Sequence, residues 1–130
     1  SMLRFLVADD HRVMRRLICS LLEDEQGWEV CGEAANGGEA VETALALNPD
    51  VAILDLSMPV MNGFEVAKVI SSRLPETLLV ILSGHAPEQL EIIARESGAK
   101  ACLLKTDLQD LAAKVRSRLE ARQDTAMRPS

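Results

Sequence analysis

A chain of 130 residues suits one domain and leaves little for a second. With 48% hydrophobic residues it can bury a core without staples, and with one Trp, two Phe and no Tyr that core is aliphatic. A net charge of −6 argues against direct nucleic-acid binding by this segment, no apolar run approaches a membrane span, and three cysteines at no metal spacing read as free thiols of a reducing cytosol.

Short apolar runs alternate with helical patterns along the chain, the signature of a parallel α/β sheet. Arg4 to Ala8 is the first expected strand. A helix follows from Arg12 to Asp24, with Met14, Leu17, Ile18, Leu21 and Leu22 on its inward face. Trp28 to Glu33 is a second strand, more polar and so nearer an edge. Asn36-Gly37-Gly38 reads as a turn, and Glu39 to Leu47 as a helix turning Ala40, Val41, Ala44 and Leu47 inward. Val51 to Leu54 is a continuous apolar run, as expected of a central strand buried on both faces. A loop from Leu56 to Gly63 leads to a third helix, Phe64 to Arg73.

Leu78 to Leu82 is the fourth strand and Pro87 to Ser97 the fourth helix, with Gly98 as its C-cap. Ala101 to Leu104 is the fifth strand. The last helix runs from Asp107 to about Arg122, with Leu108, Leu111, Val115 and Leu119 in one stripe. These units give one domain over residues 3–122, and 123–130 reads as a polar tail or the start of a linker. Five β–α units imply a doubly wound, flavodoxin-like (βα)5 fold, strand order 2-1-3-4-5, with helices on both faces of a parallel sheet.

In such sheets, sites form beyond the carboxyl ends of the strands. Asp9 and Asp10 end the first strand, Asp55 the third, Ser83 the fourth and Lys105 the fifth, so all five should converge on one crevice. Three carboxylates packed together repel one another, and a divalent cation with oxygen ligands, Mg²⁺ by preference, removes the conflict. An ionised Asp55 can attack phosphorus. The charge gathering on the transferring oxygens would be met by Mg²⁺ and the Lys105 ammonium, with hydrogen bonds from the Ser83 hydroxyl and the nearby Gly84 amide. Taken singly, each residue has an ordinary reading as a turn former, a cap or a solvated charge, and only their joint placement points to chemistry.

At these positions the sequence resembles the response-regulator receiver family of two-component signalling. The likeness is carried by Val7-Ala8-Asp9-Asp10-His11, by the long run Asp55-Leu56-Ser57-Met58-Pro59-Val60-Met61-Asn62-Gly63, by Ser83-Gly84 and by Gly98 to Lys105. It covers roughly Leu3 to Leu119 and is most similar to the NarL/FixJ (LuxR-type) class, in which a helix-turn-helix DNA-binding domain follows the receiver.

The resemblance implies that Asp55 is the phosphoacceptor. Asp10, Asp55 and the Ser57 backbone carbonyl ligate Mg²⁺, with Asp9 acting mostly through water. Ser83 and Lys105 hold the phosphoryl group, and the donor is a phosphohistidine on a sensor histidine kinase or a small phosphodonor. It implies a cytoplasmic bacterial phosphoprotein that is not an enzyme beyond its own phosphorylation and dephosphorylation. Its partner surface would be the fourth helix, fifth strand and fifth helix, or the first and fifth helices, either of which could form a homodimer. DNA would be reached only through an output domain.

Two positions depart from the family pattern. Cys102 stands where an aromatic switch residue is usual, so signalling is expected to lean on backbone shifts after Ser83 and in the fourth helix. Thr106 stands where many receivers have proline after the lysine, and a trans bond is expected there, because cis before Thr costs about 2.5–4 kcal/mol. Ser57 and His85 flank the path of the hydrolytic water in the family and are expected to tune phosphate lifetime, whereas His11 reads as a partly exposed residue opening the first helix. The rivals are a dehalogenase-like phosphatase, which wants a second Asp where Ser57 stands, a flavin module, which wants a hydroxyl-rich phosphate loop, and a stand-alone or pseudo-receiver acting only by docking.

Overall fold

A computed structural model of the chain describes residues 1–85 and 88–127, for 126 and 127 the backbone alone. Five parallel strands alternate with helices: β1 Leu3–Ala8, α1 Arg12–Glu23, β2 Trp28–Ala34, α2 Gly37–Leu47, β3 Val51–Asp55, α3 Gly63–Arg73, β4 Leu78–Ser83, α4 Leu90–Ser97, β5 Ala101–Leu104, a 3₁₀ segment Lys105–Asp110 and α5 Leu111–Met127. The sheet order is β2-β1-β3-β4-β5, the doubly wound arrangement expected.

The period-2 alternation of the strands divides the core into two layers. Phe5, Val7, Val51, Ile53, Val80 and Leu82 point to one face, where they pack with Ile18, Cys19 and Leu22 of α1 and with Leu111 and Val115 of α5. Leu6, Ala8, Ala52, Leu54, Leu79 and Ile81 point to the other, against α2, α3 and α4. Each fully buried aliphatic side chain contributes roughly 1.5–3 kcal/mol. The three central strands are therefore the most apolar, while β2, at one edge, is only half-buried. The larger aromatic rings close that edge, with Phe5 and Trp28 centroids 4.8 Å apart.

Several boundaries shift for identifiable reasons. Asn36 is an N-cap that accepts the Glu39 amide at 2.9 Å, so α2 begins at Gly37, inside the stretch read as a turn. Asn62 and Glu65 form a reciprocal capping box that starts α3 at Gly63. The fourth helix begins at Leu90, and its expected start at Pro87 lies outside the described residues. The last helix does not begin at Asp107: the backbone kinks there, and 3₁₀ geometry holds the chain from Lys105 to Asp110.

Residues 123–127, read as tail, continue α5 to Met127. No glycine or proline falls between Leu111 and Met127, and Arg122 anchors the helix by donating to the Glu76 carbonyl at 2.8 Å. On α1, Leu17 is 47% exposed rather than inward, and Cys19 takes the buried place beside Ile18. No described helix is long and apolar enough to cross a membrane.

Candidate functional site: an acidic crevice at the strand ends

The parallel register sets the carboxyl ends of the inner strands side by side, with Ala8 opposite Leu54, Asp55 opposite Leu82 and Ser83 opposite Leu104. The residues that follow these ends are the predicted polar set. Asp9 and Asp55 are buried, and Asp10 is exposed at the rim. One carboxylate oxygen from each of the three lies within 4.8 Å of the others. Lys105 reaches across from the end of β5, its Nζ 2.9 Å from Asp9 Oδ2 and 3.2 Å from Asp55 Oδ2.

Backbone amides hold the carboxylates in place. Asp9 Oδ1 accepts the His11 amide at 2.8 Å, and Asp55 Oδ1 accepts the Ser57 amide at 3.3 Å. Asp9 Oδ2 is the unsatisfied atom: Lys105 stands at ion-pair distance, but no hydrogen bond of proper geometry reaches it. His11 is exposed and caps α1, its Nδ1 accepting the Met14 amide at 3.2 Å.

The electrostatics reflect an excess of negative charge. Burial, with the neighbouring Asp9 charge second, pushes the Asp55 carboxyl above its usual range against the pull of Lys105. Burial draws the Lys105 ammonium down, but pairing with Asp9 and Asp55 outweighs it and holds the group above its ordinary value. A buried carboxylate oxygen without a hydrogen bond, two further carboxylates close by and an all-oxygen donor set fit a hard divalent cation such as Mg²⁺.

The fourth strand's contribution differs in detail. Ser83 is buried, and its hydroxyl is engaged by its own loop, donating to the His85 carbonyl and accepting the His85 amide at 3.2 Å. It must turn to serve an incoming anion. Among the described residues a Cβ at Gly84 would meet nothing within 4 Å, and Gly84 itself is exposed. The Lys105–Thr106 bond is trans, as expected. Cys102 sits partly buried on β5, and burial raises its thiol pKa, which makes it a small apolar residue rather than a reactive one. All three cysteines are free.

Sequence reasoning missed the glycines that seat the loop between β3 and α3. A Cβ at Gly63 would lie 2.4 Å from the Asp55 carbonyl oxygen, and one at Gly37 would lie 1.9 Å from the Met61 carbonyl oxygen. Both contacts are with backbone, so no side chain can yield. The pairs Gly37-Gly38 and Asn62-Gly63 had signalled only turns. In the same loop Val60 adopts φ 72° and is 80% exposed. A β-branched residue there is strained by about 1–3 kcal/mol, part of which a glycine would give back as unfolded-state entropy. Val60→Gly should therefore raise stability by about 1 kcal/mol, read as a higher urea midpoint at unchanged slope.

The family model for the response regulator receiver domain matches residues 5–116. The chain belongs to that family. Curated relatives include the uncharacterized transcriptional regulatory protein YhcZ of Bacillus subtilis, 35% identical over 103 residues, 79% of this chain and 48% of that protein. The chemotaxis protein CheY of Thermotoga maritima is 36% identical over 102 residues, 78% and 84% of the two chains. Among solved structures, the receiver domain of the putative response regulator NarL from Mycobacterium tuberculosis superposes with a TM-score of 0.80 at 32% identity, covering 88% of this chain and 96% of that one. The receiver chain spans about half the length of the first transcriptional regulators it matches. A protein-glutamate methylesterase/protein-glutamine glutaminase of Idiomarina loihiensis is also similar, at 40% identity over 110 residues, although this chain spans only 28% of it.

Proposed function

We propose that this receiver takes a phosphoryl group onto Asp55, in a Mg²⁺-dependent reaction, from a phosphohistidine on a partner histidine kinase or from a small phosphodonor. The observation that carries the reading is the Lys105 ammonium held between the buried Asp9 and Asp55 carboxylates at the ends of three different strands. An Asp55 oxygen forms the new O–P bond while the donor's N–P bond breaks, its electron pair leaving with the imidazole. Lys105, already beside Asp55 Oδ2, meets the charge that develops on the phosphoryl oxygens. The Ser83 hydroxyl, released from His85, and the Gly84 amide donate to the same group. Asp9, Asp10, Asp55 and the Ser57 carbonyl would hold Mg²⁺, which when bound supplies counter-charge to the transferring group.

The receiver unit takes in residues 3–122, and its output is a change in a partner surface that controls a DNA-binding domain outside this chain. A homodimer through α1 and α5 is supported by Val13 and Leu17, one helical turn apart on α1, at 73% and 47% exposure. The test is intact mass after acetyl phosphate treatment with and without Mg²⁺. The wild type should gain one phosphoryl mass only with the cation, and Asp55→Asn should gain none. A wild type that never gains it would refute the reading. Ser57 and His85, both exposed beside the crevice, set the lifetime of the acyl phosphate. Replacing either should change the dephosphorylation rate, followed by the same mass assay, without preventing phosphorylation.

A further inference from the structure

Arginines of a small domain mostly lie in water. Arg15 does not. It stands on α1 one turn beyond His11, whose carbonyl accepts its amide at 2.9 Å, and its side chain is only 15% exposed. Taking a guanidinium out of water is costly unless its donors are met. Here Nη1 donates to the Asp9 backbone carbonyl at 2.8 Å, and Nε to Glu33 Oε1 at 3.2 Å. The other oxygen of Glu33 accepts from Arg16 at 2.5 Å, so one carboxylate on the edge strand β2 holds both arginines.

The bond from Nη1 completes the restraints on Asp9. The Asp9 amide donates to the Ala34 carbonyl at 3.0 Å, Oδ1 accepts the His11 amide at 2.8 Å, and Oδ2 faces the Lys105 ammonium at 2.9 Å. The carbonyl is the remaining polar group, and it belongs to the rigid peptide plane that joins Asp9 to Asp10. The ladder pairs of β1 end at Ala8, so a side chain rather than the sheet meets this carbonyl. A swing of the plane would carry both carboxylates with it. One oxygen of each belongs, with one of Asp55, to the set lying within 4.8 Å of one another.

We propose that Arg15 is a positioning residue for the cation site, holding the Asp9–Asp10 peptide so that both carboxylates stay grouped with Asp55, with Glu33 as the anchor that keeps the guanidinium in place. The inference rests on the Mg²⁺ reading of the crevice given above. Charge and position make opposite demands here. A guanidinium near three carboxylates repels a cation, so its loss would tighten Mg²⁺ binding if charge alone mattered. Its loss weakens binding if the bond to the Asp9 carbonyl matters more. Groups that orient metal ligands without touching the metal commonly contribute about 10–100-fold in affinity, which exceeds what one screened charge supplies.

The test is isothermal titration calorimetry of Mg²⁺ alone into wild type, Arg15→Met, Arg15→Lys and Arg16→Met, each checked for folding by circular dichroism. Arg15→Met keeps an apolar stem and should weaken Mg²⁺ at least about tenfold. Arg15→Lys keeps the charge but cannot reach both acceptors, and should fall between, at least about threefold weaker than wild type. Arg16→Met removes an equal charge from the same carboxylate but has no bond to Asp9. Arg16 is 58% exposed, so the affinity of that variant should stay within about twofold of wild type or tighten. Phosphate uptake from acetyl phosphate gives a second reading: Arg15→Met should need at least about tenfold more Mg²⁺ for half its maximal rate, a shift that mere loosening of the fold does not produce. Mg²⁺ binding by Arg15→Met as tight as wild type or tighter, or an equal loss in Arg16→Met, would overturn the inference. If Arg15→Met does not fold, Arg15→Lys decides, and wild-type affinity in that variant overturns it. A wild type that binds no Mg²⁺ would instead overturn the reading beneath it, and this inference with it.

Discussion

Lys105→Ala should cost about 3–5 kcal/mol of stability in the absence of divalent cations, the range seen when one member of a buried ion pair is removed. The Asp9 and Asp55 carboxylates are nearly sealed from solvent, and Lys105 is the one amine in contact with both. Without it, two buried negative charges face each other. The same variant should take up phosphate from acetyl phosphate about 10²–10³-fold more slowly, because the donor aimed at the developing charge is gone. Urea unfolding in a chelator and single-turnover mass measurements read the two effects.

The signs with pH can be worked out. Lys105 has a raised folded pKa, so its contribution is complete below the unfolded lysine pKa and disappears as pH climbs through the folded value. Asp55 also has a raised folded pKa, so ionising it weakens the fold. Lys105→Ala should therefore regain stability as pH falls through the carboxylate range, and the gap from wild type should narrow in strong alkali. By the same reasoning Asp55→Asn should be no less stable than wild type in chelator at neutral pH. Lys105→Met, which keeps the stem and loses the charge, should lose nearly as much as the alanine variant, and added Mg²⁺ should restore part of the loss in the two lysine variants.

Gly63→Ala should lower stability by about 1–3 kcal/mol, the usual cost of forcing a methyl into a filled space. Its effect on phosphorylation should be out of proportion to that loss. The added carbon collides with the Asp55 carbonyl at 2.4 Å, so relaxation must move either the start of α3 or the end of β3. On the proposed reading, a displacement of the Asp55 carboxylate by a fraction of an ångström would erode its alignment for attack. Chemical denaturation gives the first number and the initial rate of phosphate uptake the second. A rate equal to wild type in the folded fraction would mean that α3 alone had yielded. Gly84→Ala, whose added carbon would meet no atom of the described residues within 4 Å, is the matched control for stability.

The strand sequence announced much of this arrangement. Short continuous apolar runs such as Val51–Leu54 and Leu78–Leu82 are what central parallel strands require, and the polar residue after each then falls on one rim. That rule brings Asp9, Asp55 and Lys105 together from the sequence alone. Periodicity was blind elsewhere. Leu17 fits the inward stripe of α1 by spacing, yet it lies in solvent because a small thiol, Cys19, fills the place beside Ile18. Residues 123–127 carry no apolar stripe, so their helix, which needs no core face, left no trace in the pattern. Ser83 was correctly placed at the end of β4, but its hydroxyl is engaged with His85, a local bond that residue spacing does not encode. The steric demands at Gly37 and Gly63 come from contacts between segments distant in sequence, which only a three-dimensional packing reveals.

A single ammonium group joins the tips of the first, third and fifth strands while the fourth passes between them. Lys105 is also the first residue of the 3₁₀ segment that leads into α5, so the ammonium and the base of α5 are joined by a short stretch of chain. Linkage is reciprocal: if an anion held by Lys105 shifts α5, then whatever restrains α5 from outside changes the affinity at Asp55 by the same factor. The side chain is thus the shortest connection between the acidic crevice and the helix behind it.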